Sequence, residues 1–178
     1  KTAAERKGIK HDPEQEFRDS IYKIRSGPTL LAFPAAGIKQ AMATAALETA
    51  GVKKTEVQRL IFLPQEKVSV WGTPYMKMDV VRSADMNKTP DIRTRAFLNE
   101  WCAEVTIRYA LPTFSQHSIV NLLSNAGVIC GIGDFRQEKG RGSYGTFQVS
   151  DPNDGPFADR IKALKKEGRK VQEAAMNN

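Results

Sequence analysis

Cysteine and histidine are scarce in this chain, with two of each among 178 residues. Cys102 and Cys130 have no second cysteine or histidine at ligand spacing, which excludes a disulfide framework and the usual zinc motifs and points to a reducing, cytoplasmic setting. His11 and His117 stand alone, and one isolated imidazole defines no catalytic site. No apolar run approaches the ~18 residues of a membrane span, and no signal peptide is visible, although Lys1 is not a native start. No membrane partner is therefore expected. Gly-Lys-Ser/Thr does not occur, so there is no P-loop, and Gly131-Ile132-Gly133 lacks the third glycine and following helix of a dinucleotide fingerprint. No carboxylate cluster suited to a divalent ion is evident, so neither a metal nor another cofactor is expected.

What the chain does have is positive charge. Lys and Arg number 27 against 20 Asp and Glu, a formal charge of +7, and the pI is about 9.5. That balance favours a nucleic acid or another anionic surface as partner. The most distinctive segment runs from Val128 to Val149, VICGIGDFRQEKGRGSYGTFQV, with five glycines, three basic residues and three aromatics. Its glycines permit a tightly folded loop against a polyanion. An ordinary hairpin with turn glycines has the same composition.

Residues 1–12 are polar and basic and read as a flexible arm. Asp12-Pro13 is a capping carboxylate before a proline, predicting a short helix over 13–20 with Phe17 inward. Ile21, Tyr22 and Ile24 suggest a strand, and Ile38, Met42 and Ala45 give a helix running towards Gly51. Val57–Leu63 and Val68–Trp71 read as strands. Residues 82–95, RSADMNKTPDIRTR, have little to bury and read as a loop or insertion. Trp101, Ala103, Val105, Ile107 and Tyr109 alternate with polar positions as in a half-buried strand. Thr113–Gln116 fits a capping box for a second helix closed by Gly127, with Val128–Cys130 as a strand beyond it. Tyr144–Val149 is a further strand candidate, and one amphipathic helix is expected from Pro156 to Met176.

This order is that of an α+β, ferredoxin-like (RRM-like) fold: an antiparallel sheet with two covering helices, an inserted hairpin at about 82–96 and a C-terminal helix. The expected organisation is an arm at 1–12, one domain at 13–155 and a basic amphipathic helix at 156–178. Two local features sharpen it. Phe33-Pro34-Ala35-Ala36-Gly37-Ile38-Lys39-Gln40 opens the first helix, and Gly142-Ser143-Tyr144-Gly145-Thr146-Phe147 ends the glycine-rich loop. At these residues the chain resembles the RAMP superfamily, and within it the backbone subunits of CRISPR effector complexes. Ala35 and Gln40 stand where that family usually has glycine. The segment Gly131 to Gly140 is also similar to small RAMP-like proteins of tailed bacteriophages and prophages.

The resemblance implies a non-catalytic protein that binds RNA or single-stranded DNA and assembles into a multimer or filament, with the 82–96 insertion in the place of a hairpin thumb. From the residues, Arg136, Lys139 and Arg141 are candidate phosphate contacts, and Phe135 and Tyr144 are candidate stacking surfaces. Phe147 fits the core better than a stacking role. Lys39 lies near a helix start, where phosphate is favoured. Arg93 and Arg95 of the insertion complete the candidate set. Two other readings stay open: a phage virion or interaction protein that binds no nucleic acid, and a RAMP-type endoribonuclease. The second would rest on His117, or on Asp85 or Asp91 with a metal.

Overall fold

A computed structural model describes residues 11–82, 86, 90–139 and 142–177. The fold is mixed α+β with antiparallel strand pairs. Its described elements are α1 (Pro13–Asp19), β1 (Tyr22–Lys23), β2 (Leu31–Pro34), α2 (Ala35–Ala45), α3 (Lys54–Leu60), β3 (Ile61–Phe62), β4 (Lys67–Trp71), β5 (Tyr75–Arg82), β6 (Pro90–Phe97), β7 (Cys102–Ala103), β8 (Arg108–Tyr109), α4 (Gln116–Ile129), α5 (Ala158–Leu164) and α6 (Arg169–Asn177). One sheet has the order β1-β2-β4-β7, while β3-β8 and β5-β6 are separate pairs. The chain forms two compact units: one of residues 1–32, 69–102 and 164–178, the other of 33–68 and 103–163.

In the first unit, Asp12 caps α1 by accepting a hydrogen bond from the Gln15 amide, and Phe17 is buried. The same helix reaches strand β6 through two side chains: Glu16 Oε2 accepts from the Thr94 amide at 2.8 Å, and Ser20 Oγ accepts from the Ala96 amide at 2.8 Å. The His11 ring nitrogens lie 2.8 Å from Glu16 Oε1 and 2.8 Å from Asp91 Oδ1. The tail is fastened by Gln172, whose side chain is fully buried. Its Oε1 accepts from the Leu30 and Leu31 amides at 2.8 and 3.0 Å, and its Nε2 donates to the Val70 and Gly72 carbonyls, each at 2.9 Å.

The core of the second unit lies between α2 and α4. Ile38, Ala41, Met42 and Ala45 on α2 meet Ile119, Leu122 and Ala126 on α4, with Val57, Ile61, Val68 and Phe114 filling the remainder. Small alanines on both helices let their backbones approach while Met42 and Leu122 fill the gap, so every atom removed from this contact would leave a void.

Several expected elements differ. Val57–Leu63 is a helix before it is a strand: Val57 and Ile61 are four residues apart and both fully buried, whereas Gln58 and Arg59 are exposed. A short apolar run satisfies either period, and here burial of one helical face decides it. The strand over 101–109 is reduced to β7 and β8, yet its faces alternate as expected, with Val105 and Ile107 inward and Glu104 and Thr106 outward. Side-chain burial therefore imposes the period even where no ladder forms. The basic stretch 82–95 contributes most of β6, and it pairs with β5 from Tyr75↔Phe97 to Arg82↔Pro90.

Helix α4 is capped by Ser115, whose hydroxyl and that of Ser118 serve each other's amides, in place of the box starting at Thr113. It also continues through Gly127 to Ile129, so Val128–Cys130 is helix end, not strand. Gly127 is required for another reason: a Cβ there would run into the Phe147 carbonyl, and the Phe147 amide donates to the Gly127 carbonyl at 3.3 Å. Tyr144–Val149 forms no strand: it has a single bridge, between Arg136 and Tyr144, and turns at Gly145, where φ is +71°. The tail is two helices, because Arg169 at the start of α6 is drawn to the turn before β2: its guanidinium donates to the carbonyls of Ile24, Gly27 and Thr29.

Candidate nucleic-acid interface

The glycine-rich loop folds back on itself. Its outgoing arm, residues 131–136, lies against its returning arm, residues 142–147, through Ile132 N to Gly145 O at 2.9 Å and Tyr144 N to Phe135 O at 3.3 Å. Gly142 makes this possible, since a Cβ on it would overlap the Phe135 carbonyl. Phe135 itself has φ +54°, an uncommon conformation for a bulky residue, and its amide is held by Asp134 Oδ1 at 3.1 Å. Between the arms, Gln137–Lys139 form one turn of 3-10 helix. Glu138 anchors that turn: its amide donates to the Cys130 carbonyl at 3.2 Å, and its Oε1 lies 3.4 Å from the Thr44 hydroxyl on α2.

This scaffold leaves two rings at the surface. Phe135 is 44% exposed and Tyr144 39%, with centroids 6.4 Å apart and planes tilted by 50°. A flat group sandwiched between two rings needs them parallel, so each of these offers an outer face instead. Phe147, on the same returning arm, packs against the core. Arg136 is oriented by Glu138 Oε2, 2.8 Å from its Nε, and by the Gly133 carbonyl, 3.1 Å from its Nη1. The carboxylate offsets much of the guanidinium's charge where a phosphate would approach. The Lys139 side chain and Arg141 lie outside the described residues.

Lys39 is on the same α2 as Thr44, five residues earlier and about 7.5 Å along the helix axis. Its Nζ lies 5.5 Å from the centroid of Phe62, a ring that is 53% exposed. Phe62 has no signal in the sequence because it lies within the apolar run Val57–Leu63; in the β3-β8 pair it sits opposite Arg108, on the other face from the buried Ile61.

Arg93 and Arg95 belong to the other unit. Arg93 pairs with Asp91 at 2.8 Å, and Arg95 donates to the Thr94 carbonyl at 3.0 Å. Both line a groove of about 560 Å³ together with Asp12, Glu16 and Asp19. Three carboxylates beside two guanidiniums make its field mixed, in contrast to the single-sign track that guides a polyanion.

Groups suited to catalysis are sparse among the described residues. His117 Nε2 is 3.0 Å from Asn121 Nδ2, an exposed contact with an amide that cannot relay a proton. Burial, followed by the nearby Glu138 charge, pushes the Cys130 thiol above its ordinary value, and its Sγ is directed at the Ala41 carbonyl. A protonated, buried thiol is a poor nucleophile. No group of three or more His, Cys, Asp or Glu side chains that could hold a metal occurs among the described residues, and no helix there is long and apolar enough to cross a membrane.

Comparison with protein-family models, with curated proteins and with solved structures gives no match to this chain.

Proposed function

We propose that this protein binds single-stranded nucleic acid, RNA or DNA, without catalysis, on a ferredoxin-like domain similar to the RAMP backbone subunits, and that copies assemble as a multimer. The observation that carries this reading is the pair of exposed rings, Phe135 and Tyr144, held on a loop whose backbone is fixed by close approach at Gly142. Two aromatic faces kept in water by a doubled-back loop suit successive bases of an unpaired strand. Lys39 and Arg136, with Lys139 and Arg141, are the proposed phosphate contacts. Arg93 and Arg95 contribute less, because carboxylates accompany them.

Fluorescence anisotropy with labelled single-stranded oligonucleotides tests the reading. Base stacking is worth roughly 1–3 kcal/mol per base, so Phe135→Ala with Tyr144→Ala should weaken binding by about tenfold or more. The slope of affinity against salt should stay unchanged. Arg136→Ala should instead lower that slope by less than one full phosphate contact, since Glu138 already offsets its charge. Unchanged affinity in the double variant, or no binding to either RNA or DNA at low salt, would refute the proposal.

A further inference from the structure

The β5-β6 hairpin presents an apolar face to solvent. Met78 is 60% exposed, Val80 74% and Ile92 52%, with Met76 at 40%. The register places Val80 opposite Ile92, and period-two alternation puts Met76 and Met78 on the same side. The opposite face carries Lys77, Asp79, Arg93 and Arg95.

The two edges of this hairpin differ. On β6, the Thr94 and Ala96 amides point away from β5 and are satisfied by Glu16 and Ser20 of α1, so that edge is covered. In an antiparallel pair, residues alternate between bonding inward and bonding outward. The register then directs the backbone groups of Met76, Met78 and Val80 to the outer edge of β5, where no strand pairs among the described residues. This edge has neither a proline nor a bulge to blunt it, and its apolar side chains favour pairing.

We infer that β5 is a self-association edge, which joins a second copy of this chain by antiparallel β5-to-β5 pairing centred on Met78. The strand's own sequence selects that occupant and that register. Centring on a residue, and not between two, aligns the outward groups of both strands. Centring on Met78 uses all three, sets Met76 against Val80 of the second copy, and sets Lys77 against Asp79 twice over. Lys77 and Asp79 already lie 3.7 Å apart within one strand, so their charges are placed to interleave across the two-fold axis. Like charges opposite one another, as in centring on Lys77 or Asp79, would be unfavourable. The product is a four-stranded β6-β5-β5-β6 sheet with a continuous methionine and valine face. Two eight-residue edges bury less than a standard interface, so association is weak and depends on concentration. The inference does not rest on nucleic-acid binding.

Sedimentation of the full chain, freed of nucleic acid, is the test. The mass should double between low and high concentration. Met78→Pro removes an amide that faces outward, so it should keep the β5-β6 ladder and a native circular dichroism spectrum while remaining monomeric at every concentration. Under mild oxidation Met78→Cys should give a covalent dimer, because residues facing each other in a bonded pair sit ~5.5 Å apart, within disulfide reach. Leu47→Cys, on an exposed site elsewhere, should not. A wild-type chain that stays monomeric overturns the inference, and so does a dimer that survives Met78→Pro. If Met78→Pro fails to fold, crosslinking decides: Met78→Cys no more dimeric than Leu47→Cys overturns it.

Discussion

Gln172→Leu should be among the most damaging single substitutions in the chain. Leucine is close to glutamine in size, so little cavity is made and the effect isolates hydrogen bonding. The Gln172 amide accepts from two consecutive backbone N–H groups, Leu30 and Leu31, and donates to the carbonyls of Val70 and Gly72. Removing it leaves four backbone groups without that partner in a place where the side chain has no exposure at all. An unsatisfied buried group costs about 1–3 kcal/mol. Partial relaxation and water reaching Leu30 reduce the sum, giving an expected loss of about 3–6 kcal/mol, a large fraction of the roughly 5–15 kcal/mol that domains possess. Urea unfolding followed by tryptophan fluorescence measures it, with Trp71, 8% exposed on β4, as the local reporter. Gln172→Glu adds a signed control. A carboxylate would face the Val70 and Gly72 carbonyls, which raises its folded-state pKa. Its protonated form can donate one hydrogen bond, so this variant's deficit against wild type should be smaller in acid and grow as pH rises through that titration. A loss below about 1 kcal/mol for Gln172→Leu would refute the reasoning, since one unsatisfied group alone should exceed it.

Three further outcomes follow from the same physics. Gly127→Ala should destabilise by about 1–3 kcal/mol although alanine is the better helix former by about 1 kcal/mol, because its Cβ meets the Phe147 carbonyl; a gain in stability on urea unfolding would show that the returning arm does not lie there. Arg169→Ala should lose about 2–4 kcal/mol by urea unfolding, and Arg169→Lys should fail to rescue it, since one ammonium cannot span the carbonyls of Ile24, Gly27 and Thr29 as the planar fork does. The Thr94 amide, and after it His11, holds the Glu16 carboxyl below its ordinary value of 4.5. A depressed pKa contributes stability that is complete above the unfolded-state value and lost as pH falls through the folded one, so the advantage of wild type over Glu16→Gln should be full at neutral pH and shrink below about pH 4.5, as read by urea midpoints at several pH values.

Where local chemistry decides, the fold was legible in the sequence. Asp12-Pro13 announced α1 with Phe17 inward, and the alternation from Trp101 to Tyr109 gave the correct inward residues. Where long-range approach decides, it was not. Gly127 reads as a helix stop, yet its role is to admit the Phe147 backbone, a partner twenty residues away with no local signature. The strand character of residues 90–95 was hidden because Thr94 is buried by α1 from far along the chain, while its neighbours are charged. Composition alone points to Phe135 and Tyr144 as candidate stacking surfaces, whereas the exposure of Phe62, within an apolar run, and of the methionines of β5 has no signature in the sequence.

The charge excess that first suggested a polyanion partner also proves a poor guide to where such a partner would sit. Arg136 is matched by Glu138, Arg93 by Asp91, and Arg169 is spent on carbonyls of a turn. Each of these guanidiniums is already compensated by a carboxylate or by backbone carbonyls. An arginine fixed in this way positions a loop better than it neutralises phosphate. On the proposed reading, affinity for a nucleic acid at the glycine-rich loop comes mainly from the faces of Phe135 and Tyr144, and should fall less with salt than a chain of charge +7 would suggest. A steep salt dependence that survives loss of both rings would place the contact elsewhere on the surface, on cations that no carboxylate accompanies.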